Sequence, residues 1–132
     1  MSLSVRSITI DCADPYTLAR WWCQVFGVEP WPEDFPDDPA AICFLGEGTP
    51  RLLFERVPEA KAVKNRVHID IAAGMRRDEE VARIIGLGAT LFADFRAEDG
   101  SGFVVLADPD GNEFCIEQGP TQVAAGAAAE TP

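Results

Sequence analysis

Apolar and polar residues alternate with a period of two in several short stretches of the chain, and helical spacing recurs in two longer ones. Two-residue alternation predicts a strand with one buried face, whereas apolar positions three and four residues apart predict an amphipathic helix. Helices are predicted at residues 15–26 and 77–86. Strands are predicted at residues 6–11, 41–45, 51–56, 65–71, 90–94, 102–107 and 113–117, with a short edge strand at 28–31.

The first predicted helix has signals at both ends as well as an apolar face. Asp14 can cap its N-terminus, Pro15 suits the first helical position, and Gly27 can end it. Its apolar residues recur at helical spacing, which favours a core face over a cofactor site. They are Leu18, Trp21, Trp22 and Val25.

The strand predicted at 65–71 contains the only histidine of the chain and has two different faces. Alternation places His68 and Asp70 on one side and three apolar residues on the other. We expect the apolar side to pack on the body of the protein, with His68 and Asp70 open to a cleft. The apolar side consists of Val67, Ile69 and Ile71.

Proline and acidic residues dominate the segment 28–40 and oppose regular structure beyond the short strand at 28–31. Trp31 and Phe35 lie within this polar loop. They are either apolar lids on a pocket or anchors that hold the loop to the body, and the sequence leaves both open.

The charge balance narrows the class of partner. The chain has 22 acidic and 11 basic residues and a formal net charge of -11. Its field repels phosphates, which opposes binding to nucleic acid or to an anionic membrane surface. A neutral or cationic small molecule is the predicted partner, although acidity can also serve solubility alone.

The sequence has no candidate membrane span, signal peptide or C-x-x-C pair, and these features bear on the expected localisation and redox state. No apolar run approaches the roughly 20 residues that span a bilayer, and the first residues do not resemble a signal peptide. We therefore expect a cytoplasmic protein. The four cysteines are far apart and form no C-x-x-C pair, so all are expected to be reduced and buried.

The two halves of the chain have the same order of elements, a strand, a helix and three strands, at an offset of about 61 or 62 residues. The predicted fold class is α+β, with two βαβββ modules that form a curved sheet cleft and carry their helices on the outer face. One domain is predicted at 1–118, followed by a disordered tail at 119–132. The domain divides into module one at 4–57, a linker at 58–65 and module two at 66–118.

The doubled module and three motifs resemble the vicinal-oxygen-chelate superfamily of glyoxalases, bleomycin-resistance proteins and extradiol dioxygenases, especially its small glyoxalase-like domain proteins. The motifs are KNRVHID at 64–70, LGA at 87–89 and FVVLADPDGNEFC at 103–115. The resemblance covers nearly everything from Ser4 to Gln118. It is specific for the fold and weak for any one activity, because one fold supports many functions.

In the metal-using members, the ligands come from the first and last strands of each module. The resemblance therefore implies a site at Ser7, Glu55, His68 and Glu117. Alternation agrees, since both glutamates lie in the polar phase of their strands. One imidazole and two carboxylates suit a divalent Zn, Ni, Mn or Fe ion.

Ser7 departs from this pattern, because metal-dependent glyoxalases carry His or Gln there and a neutral hydroxyl is a poor ligand. The alternative is a metal-free polar cluster in which arginines pair with Glu55 and Glu117 around His68. The candidate arginines are Arg51, Arg56 and Arg66. The sequence leaves both forms of the site open.

Three functions are compatible with these features. The first is a metal-dependent lyase or isomerase, in which the ion polarises vicinal oxygens of a substrate and Glu117 or Glu55 moves a proton. The second is a metal-free, bleomycin-resistance-like protein that binds or sequesters a cationic or aromatic small molecule. Its predicted ligand contacts are Trp22, Trp31, Phe35, Phe44 and Asp70.

The third function is assembly, as a homodimer that exchanges modules. An extradiol dioxygenase is disfavoured, because that chemistry needs two histidines on iron and the chain has one.

Overall fold

The structure is a computed structural model of the 132-residue chain, and it describes residues 2–73 and 76–119. The chain divides into two compact units, one ending at Ala62 and the other beginning at Val63. Each unit combines a small sheet with one helix, so the predicted α+β class is confirmed. No helix within the described ranges has the length and apolar character needed to cross a membrane.

The first unit contains three strands and one helix. The sheet has the order β1-β3-β2, with β1 parallel and β2 antiparallel to β3. The elements are β1 (Ser7–Cys12), α1 (Pro15–Phe26), β2 (Ala40–Cys43) and β3 (Arg51–Arg56).

Both ends of α1 form as the sequence predicts. The Asp14 carboxylate accepts hydrogen bonds from the Thr17 backbone N–H at 3.3 Å and the Thr17 hydroxyl at 2.7 Å. Gly27 ends the helix in the left-handed conformation, with φ 67°, which glycine adopts without steric cost. The predicted apolar face is buried, and in β3 it meets Leu52 and Phe54, which alternate with more exposed neighbours.

The predicted edge strand at 28–31 is wrong. Proline has no N–H to donate to a strand ladder, and Pro30 and Pro32 fall in or beside this stretch. Carboxylates of the following loop bind the edge of β2 instead. Asp34 accepts a hydrogen bond from the Ile42 N–H at 2.8 Å, and Asp38 accepts one from the Ala40 N–H at 3.2 Å.

Within residues 63–73 and 76–119, the second unit contains four strands and one helix, and its sheet has the order β4-β7-β6-β5. β4 is parallel to β7, and β6 is antiparallel to both of its neighbours. The elements are β4 (Asp70–Ala72), α2 (Arg77–Gly86), β5 (Thr90–Asp94), β6 (Val104–Ala107) and β7 (Glu113–Glu117).

The core of the second unit is mostly apolar, although Arg77, Asp108 and Glu113 are also buried. Val81 and Ile84 of α2 are buried, as are Phe114 and Ile116 of β7. Ile85, in the last turn of α2, is half-exposed.

The strand predicted at 65–71 is shorter and starts later than expected. β4 begins at Asp70, so His68 precedes it. Val67 is 78% exposed and does not pack on the body of the protein, contrary to the alternation argument. The predicted tail lies, apart from Gly119, outside the described residues, and the predicted domain boundaries stay predictions.

Candidate functional site

The parallel pair of β4 and β7 determines which side chains share a face of the second sheet. Asp70 lies opposite Cys115, and Ala72 lies opposite Glu117. Directly paired residues of neighbouring strands point to the same face, and successive residues point to opposite faces. Because Phe114 and Ile116 are buried on the side of α2, Cys115 and Glu117 point away from that helix.

Three potential metal ligands meet on this face. The Nδ1 atom of His68 lies 3.4 Å from Oδ1 of Asp70 and 3.9 Å from Sγ of Cys115. One donor atom from each residue lies within 4.8 Å of the other two. The His68 and Asp70 side chains are 43% and 55% exposed, whereas Cys115 is 5% exposed. The thiol therefore lies at the bottom of the site, which is open to solvent on the side of His68 and Asp70.

Backbone hydrogen bonds hold this arrangement together. The Cys115 N–H donates to the Ile69 carbonyl at 2.9 Å, next to His68. At the other end of β4, the Ala73 N–H donates to the Glu117 carbonyl at 3.1 Å. The register of one strand pair thus places Asp70 opposite Cys115, and His68 lies just before β4.

Burial raises the pKa of the Cys115 thiol to about 11, and a hydrogen bond to Asp70 adds to this effect. The negative charges of Asp70 and Glu117 raise it further, while Lys64 opposes them. Cys115 is therefore a neutral thiol near pH 7 that donates to Asp70. A neutral thiol is a poor nucleophile.

The geometry also differs from a Cys-His-Asp catalytic triad. In such a triad, the nucleophile and the carboxylate contact different nitrogens of the imidazole. Here the shortest contacts of Asp70 and Cys115 are both to Nδ1 of His68. The cluster has the form of a ligand set converging on one point.

This donor set fits a divalent metal ion. Tetrahedral zinc binds nitrogen and oxygen at about 2.0–2.2 Å and sulfur at about 2.3 Å, which places ligand atoms about 3.3–3.6 Å apart. The observed separations of 3.4 and 3.9 Å are close to that spacing. Among the residues that the structure describes, this is the one group of three such side chains. Metal binding would release the Cys115 proton, since the thiolate is the ligand.

The two ligands predicted in the first unit lie on one face of its sheet but are not adjacent. Ser7 lies opposite Arg51, and Glu55 lies opposite Asp11, four residues further along the strands. Four residues of strand span about 13 Å. The Ser7 hydroxyl accepts a hydrogen bond from Nε of Arg51 at 2.9 Å. The convergence of Ser7 and Glu55 with His68 and Glu117 stays a prediction.

Two of the three arginines of the predicted metal-free cluster have other partners. Arg51 binds Ser7, and Arg56 forms a 3.0 Å ion pair with Asp37. Glu55 itself is exposed.

The predicted aromatic contacts divide into three groups. Trp22 is 1% exposed and packs against Trp21 and Phe26 in the core. Its burial favours a role in the core, and its predicted contact with a ligand stays a prediction. Trp31 and Phe44 have ring centroids 5.7 Å apart and line a groove of about 440 Å³. Phe35 is 56% exposed and lies outside the lining of this groove.

Cys115 is the site residue that the sequence analysis missed, because cysteine in an apolar strand was interpreted as a small hydrophobe. The sequence does contain one feature that points to Cys115. Cys115 has the same strand phase as Glu117, so the alternation that points Glu117 away from the core points Cys115 the same way. Asp70 was predicted to contact a ligand, and its position beside His68 makes it a candidate for binding metal as well.

Comparisons with known proteins identify the fold. The family described as "Glyoxalase-like domain" matches residues 7–117. A search of curated proteins found no match.

Similar solved structures include a glyoxalase/bleomycin resistance protein/dioxygenase family enzyme from Burkholderia phytofirmans PsJN. It is 21% identical, with a TM-score of 0.66 over 88% of this chain and 98% of that one. An Agrobacterium tumefaciens protein solved by NMR is 17% identical, with a TM-score of 0.68 over 88% and 97% of the two chains. The trypanothione-dependent glyoxalase I of Leishmania major is 20% identical, with a TM-score of 0.61 over 97% and 95%. At these identities the likeness shows the fold and leaves the activity open.

Proposed function

Since this chain belongs to the family of glyoxalase-like domain proteins, we propose that it binds a small molecule at a divalent metal ion held by His68, Asp70 and Cys115. The observation that carries the proposal is the convergence of their three donor atoms within 4.8 Å on one face of the second sheet. The exposed upper side of the site leaves room for a ligand to complete the coordination shell.

The ligand atoms of the site, a sulfur, a nitrogen and an oxygen, favour some of the four metals that the sequence suggests. Thiolate and imidazole favour zinc, nickel or iron, whereas manganese prefers oxygen ligands. Zinc with three protein ligands is an arrangement that keeps a fourth position for water or substrate. When bound, such an ion polarises the oxygens that it contacts, as a reaction at vicinal oxygens requires.

Glu117 is the candidate base beside this site. It points to the same face as Cys115 and lies two residues further along β7, about 6–7 Å away. Its charge contributes to the raised pKa of Cys115, which supports this proximity. A carboxylate in this position can accept a proton from a bound substrate. The reaction class that fits is an isomerase or lyase step that moves a proton next to vicinal oxygens.

The direct test is the metal content of the full chain, purified without chelator and without a nickel column. The proposal predicts about one zinc per chain, and Cys115→Ser should lower the retained metal by at least tenfold. Cys12→Ser is the matched control, because Cys12 is also a buried strand cysteine but belongs to the first unit. Equal metal content in the parent and Cys115→Ser would argue against this ligand set.

The candidate base has its own test. Glu117→Gln should keep the metal but abolish turnover of any α-hydroxyketone or hemithioacetal that the parent converts. Loss of metal in Glu117→Gln would instead support Glu117 as a ligand, as the sequence resemblance implied.

A second candidate function is metal-free binding of an aromatic molecule, and the groove of the first unit favours it. The groove is within the size range of small-molecule sites, about 300–1,000 Å³. Its lining is mostly apolar, with Glu29 as the charged member. The lining residues are Val28, Glu29, Pro30, Trp31, Pro32, Phe44, Leu45 and Gly46. A flat ligand with a positive charge would combine stacking on Trp31 with attraction to Glu29.

Tryptophan fluorescence tests this candidate, because Trp21 and Trp22 are buried and Trp31 is the more exposed tryptophan. Titration with the cationic dye proflavine at low salt should quench the emission and saturate, and Trp31→Phe should remove the quenching. Phe35→Ala, on the same loop but outside the groove, should leave the response unchanged. Unsaturable quenching that persists in Trp31→Phe would contradict groove binding.

A further inference from the structure

We infer that Glu113 is the positioning residue of the candidate site, because its buried carboxylate anchors the segment that carries His68. The inference rests on the proposed metal site for its functional meaning. The anchoring itself is a property of the protein without metal, and it can be tested separately.

Glu113 begins β7, two residues before Cys115, and is 5% exposed. Its Oε2 atom accepts a hydrogen bond from the backbone N–H of Asn65 at 2.9 Å. Its backbone carbonyl accepts a second, longer bond from the Asn65 side-chain amide at 3.4 Å. A buried carboxyl group is costly unless its oxygens are hydrogen-bonded, and the Asn65 N–H supplies such a bond to Oε2.

The segment between Asn65 and Ile69 lies outside the regular ladder, since β4 begins only at Asp70. It is nevertheless attached to β7 at both ends. Glu113 holds Asn65, and the Cys115 N–H donates to the Ile69 carbonyl at 2.9 Å. His68 lies between these two anchors.

Apolar packing contributes little to holding this segment, because Val67 is 78% exposed. The polar anchors therefore determine where the imidazole lies. Losing the Glu113 carboxylate would remove the 2.9 Å bond at Asn65 and leave there the longer 3.4 Å bond from the Asn65 side-chain amide to the backbone carbonyl of residue 113. Nδ1 of His68 would then no longer be held 3.4 Å from Asp70 and 3.9 Å from Cys115.

The first measurement is zinc affinity of the full chain, with Zn²⁺ alone as the probe. Residues that orient a metal ligand typically contribute 10- to 100-fold in affinity, so Glu113→Ala should weaken binding by about that factor. Glu113→Gln keeps an acceptor oxygen for the Asn65 N–H and should restore affinity to within a few-fold of the parent. Glu98→Ala removes an exposed carboxylate of the same unit and should change nothing.

The second measurement reads the position of His68 without metal. The chain has one histidine, so its imidazole gives a single set of ring signals in an NMR spectrum. These signals should shift and broaden in Glu113→Ala but stay at the parent positions in Glu113→Gln and Glu98→Ala. If Glu113→Ala does not fold, Asn65→Ala removes only the 3.4 Å bond and should cause a smaller change in the same direction.

The two measurements separate the two claims. A parent protein that binds no zinc would refute the proposed metal site, while a shifted imidazole in Glu113→Ala would still support the anchoring. Unchanged ring signals and unchanged zinc affinity in a folded Glu113→Ala would overturn the inference. Equal loss of affinity in Glu113→Ala and Glu113→Gln would also overturn it, because the role would then depend on charge instead of the hydrogen bond to Asn65.

Discussion

Cys115 is the side chain on which the candidate site depends most. Without metal, its thiol is protonated and donates to Asp70, so the cluster is satisfied by its own hydrogen bonds. A metal ion must displace that proton, which makes binding stronger as the pH rises. In the proposed site, the same residue would therefore serve both a stable metal-free form and a metal-bound form.

The raised pKa of Cys115 predicts a loss of stability in alkaline solution. A thiol whose pKa is raised from 9.0 to about 11 in the folded state stabilises the fold fully below pH 9, and this contribution is lost as the pH rises toward 11. The free energy of unfolding should therefore fall more steeply between pH 9 and 11 in the parent than in Cys115→Ser. Urea unfolding at a series of pH values measures both slopes, and equal slopes would show that Cys115 titrates normally.

Two glycines provide a matched pair of predictions about close packing. A Cβ on Gly119 would collide with the carbonyl oxygen of Ala73, whereas a Cβ on Gly86 would meet no atom within 4 Å. Gly119→Ala should therefore lower the free energy of unfolding by about 1–3 kcal/mol. Gly86→Ala, at the end of α2, should raise it by up to about 1 kcal/mol, because glycine is unfavourable in a helix.

Chemical denaturation of the two variants beside the parent measures this difference. Similar changes of one sign in Gly119→Ala and Gly86→Ala would contradict the close approach of Gly119 to Ala73.

The proximity of His68 and Asp70 could be predicted from the sequence because it depends on a local fact: the single histidine lies two residues before a carboxylate. The place of Cys115 beside these two residues could not be predicted in this way. Its place opposite Asp70 depends on the register between β4 and β7, which are distant in the chain. The alternation within β7 indicates which face Cys115 points to, but it does not indicate which residue of another strand lies opposite.

Among the helices and strands, α1 was the most predictable element because each of its boundaries has a local cause in Asp14, Pro15 or Gly27. The strand predictions are wrong where hydrogen bonds to side chains take the place of backbone hydrogen bonds between strands. At the edge of β2, Asp34 and Asp38 bind backbone N–H groups that a further strand would otherwise bind. Whether a side chain takes the place of a neighbouring strand depends on the tertiary structure. The alternation of apolar and polar residues does not indicate it.

The end of β5 is joined to the start of α2 through Arg96. Its guanidinium binds both carboxylate oxygens of Asp94, at 3.0 and 2.8 Å, and one oxygen of Asp78 at 3.1 Å. Hydrogen bonds from Arg96 lower the pKa of Asp94 to about 2 and also lower that of Asp78.

This network predicts a specific loss of stability in acid. A carboxyl group with a lowered pKa in the folded state stabilises the fold above its ordinary value of 3.8, and this contribution is lost as the pH falls toward about 2. Arg96→Ala should therefore melt at a lower temperature than the parent at pH 6, and the difference should shrink as the pH approaches 2. A difference that stays constant over this range would show that Arg96 acts through packing alone.

The chain as a whole is a doubled module, as the sequence predicts. The starts of α1 and α2, at Pro15 and Arg77, are 62 residues apart, and so are the starts of β3 and β7. The repeat is incomplete in the first unit, where the prolines after α1 prevent a counterpart of β5. The first unit has a groove beside Trp31 and Phe44, and the second has the candidate metal-ligand cluster. A homodimer and a cytoplasmic location stay predictions from the sequence.

The central prediction is that Cys115 binds metal together with His68 and Asp70. Cobalt(II) added to the metal-free protein tests it most directly, because a cobalt–thiolate bond gives a near-ultraviolet charge-transfer band and tetrahedral coordination gives visible bands. We predict that both appear with one equivalent of cobalt, that the charge-transfer band is absent in Cys115→Ser, and that Cys12→Ser behaves as the parent. A parent protein without these bands, or a Cys115→Ser protein that retains the charge-transfer band, would contradict the claim.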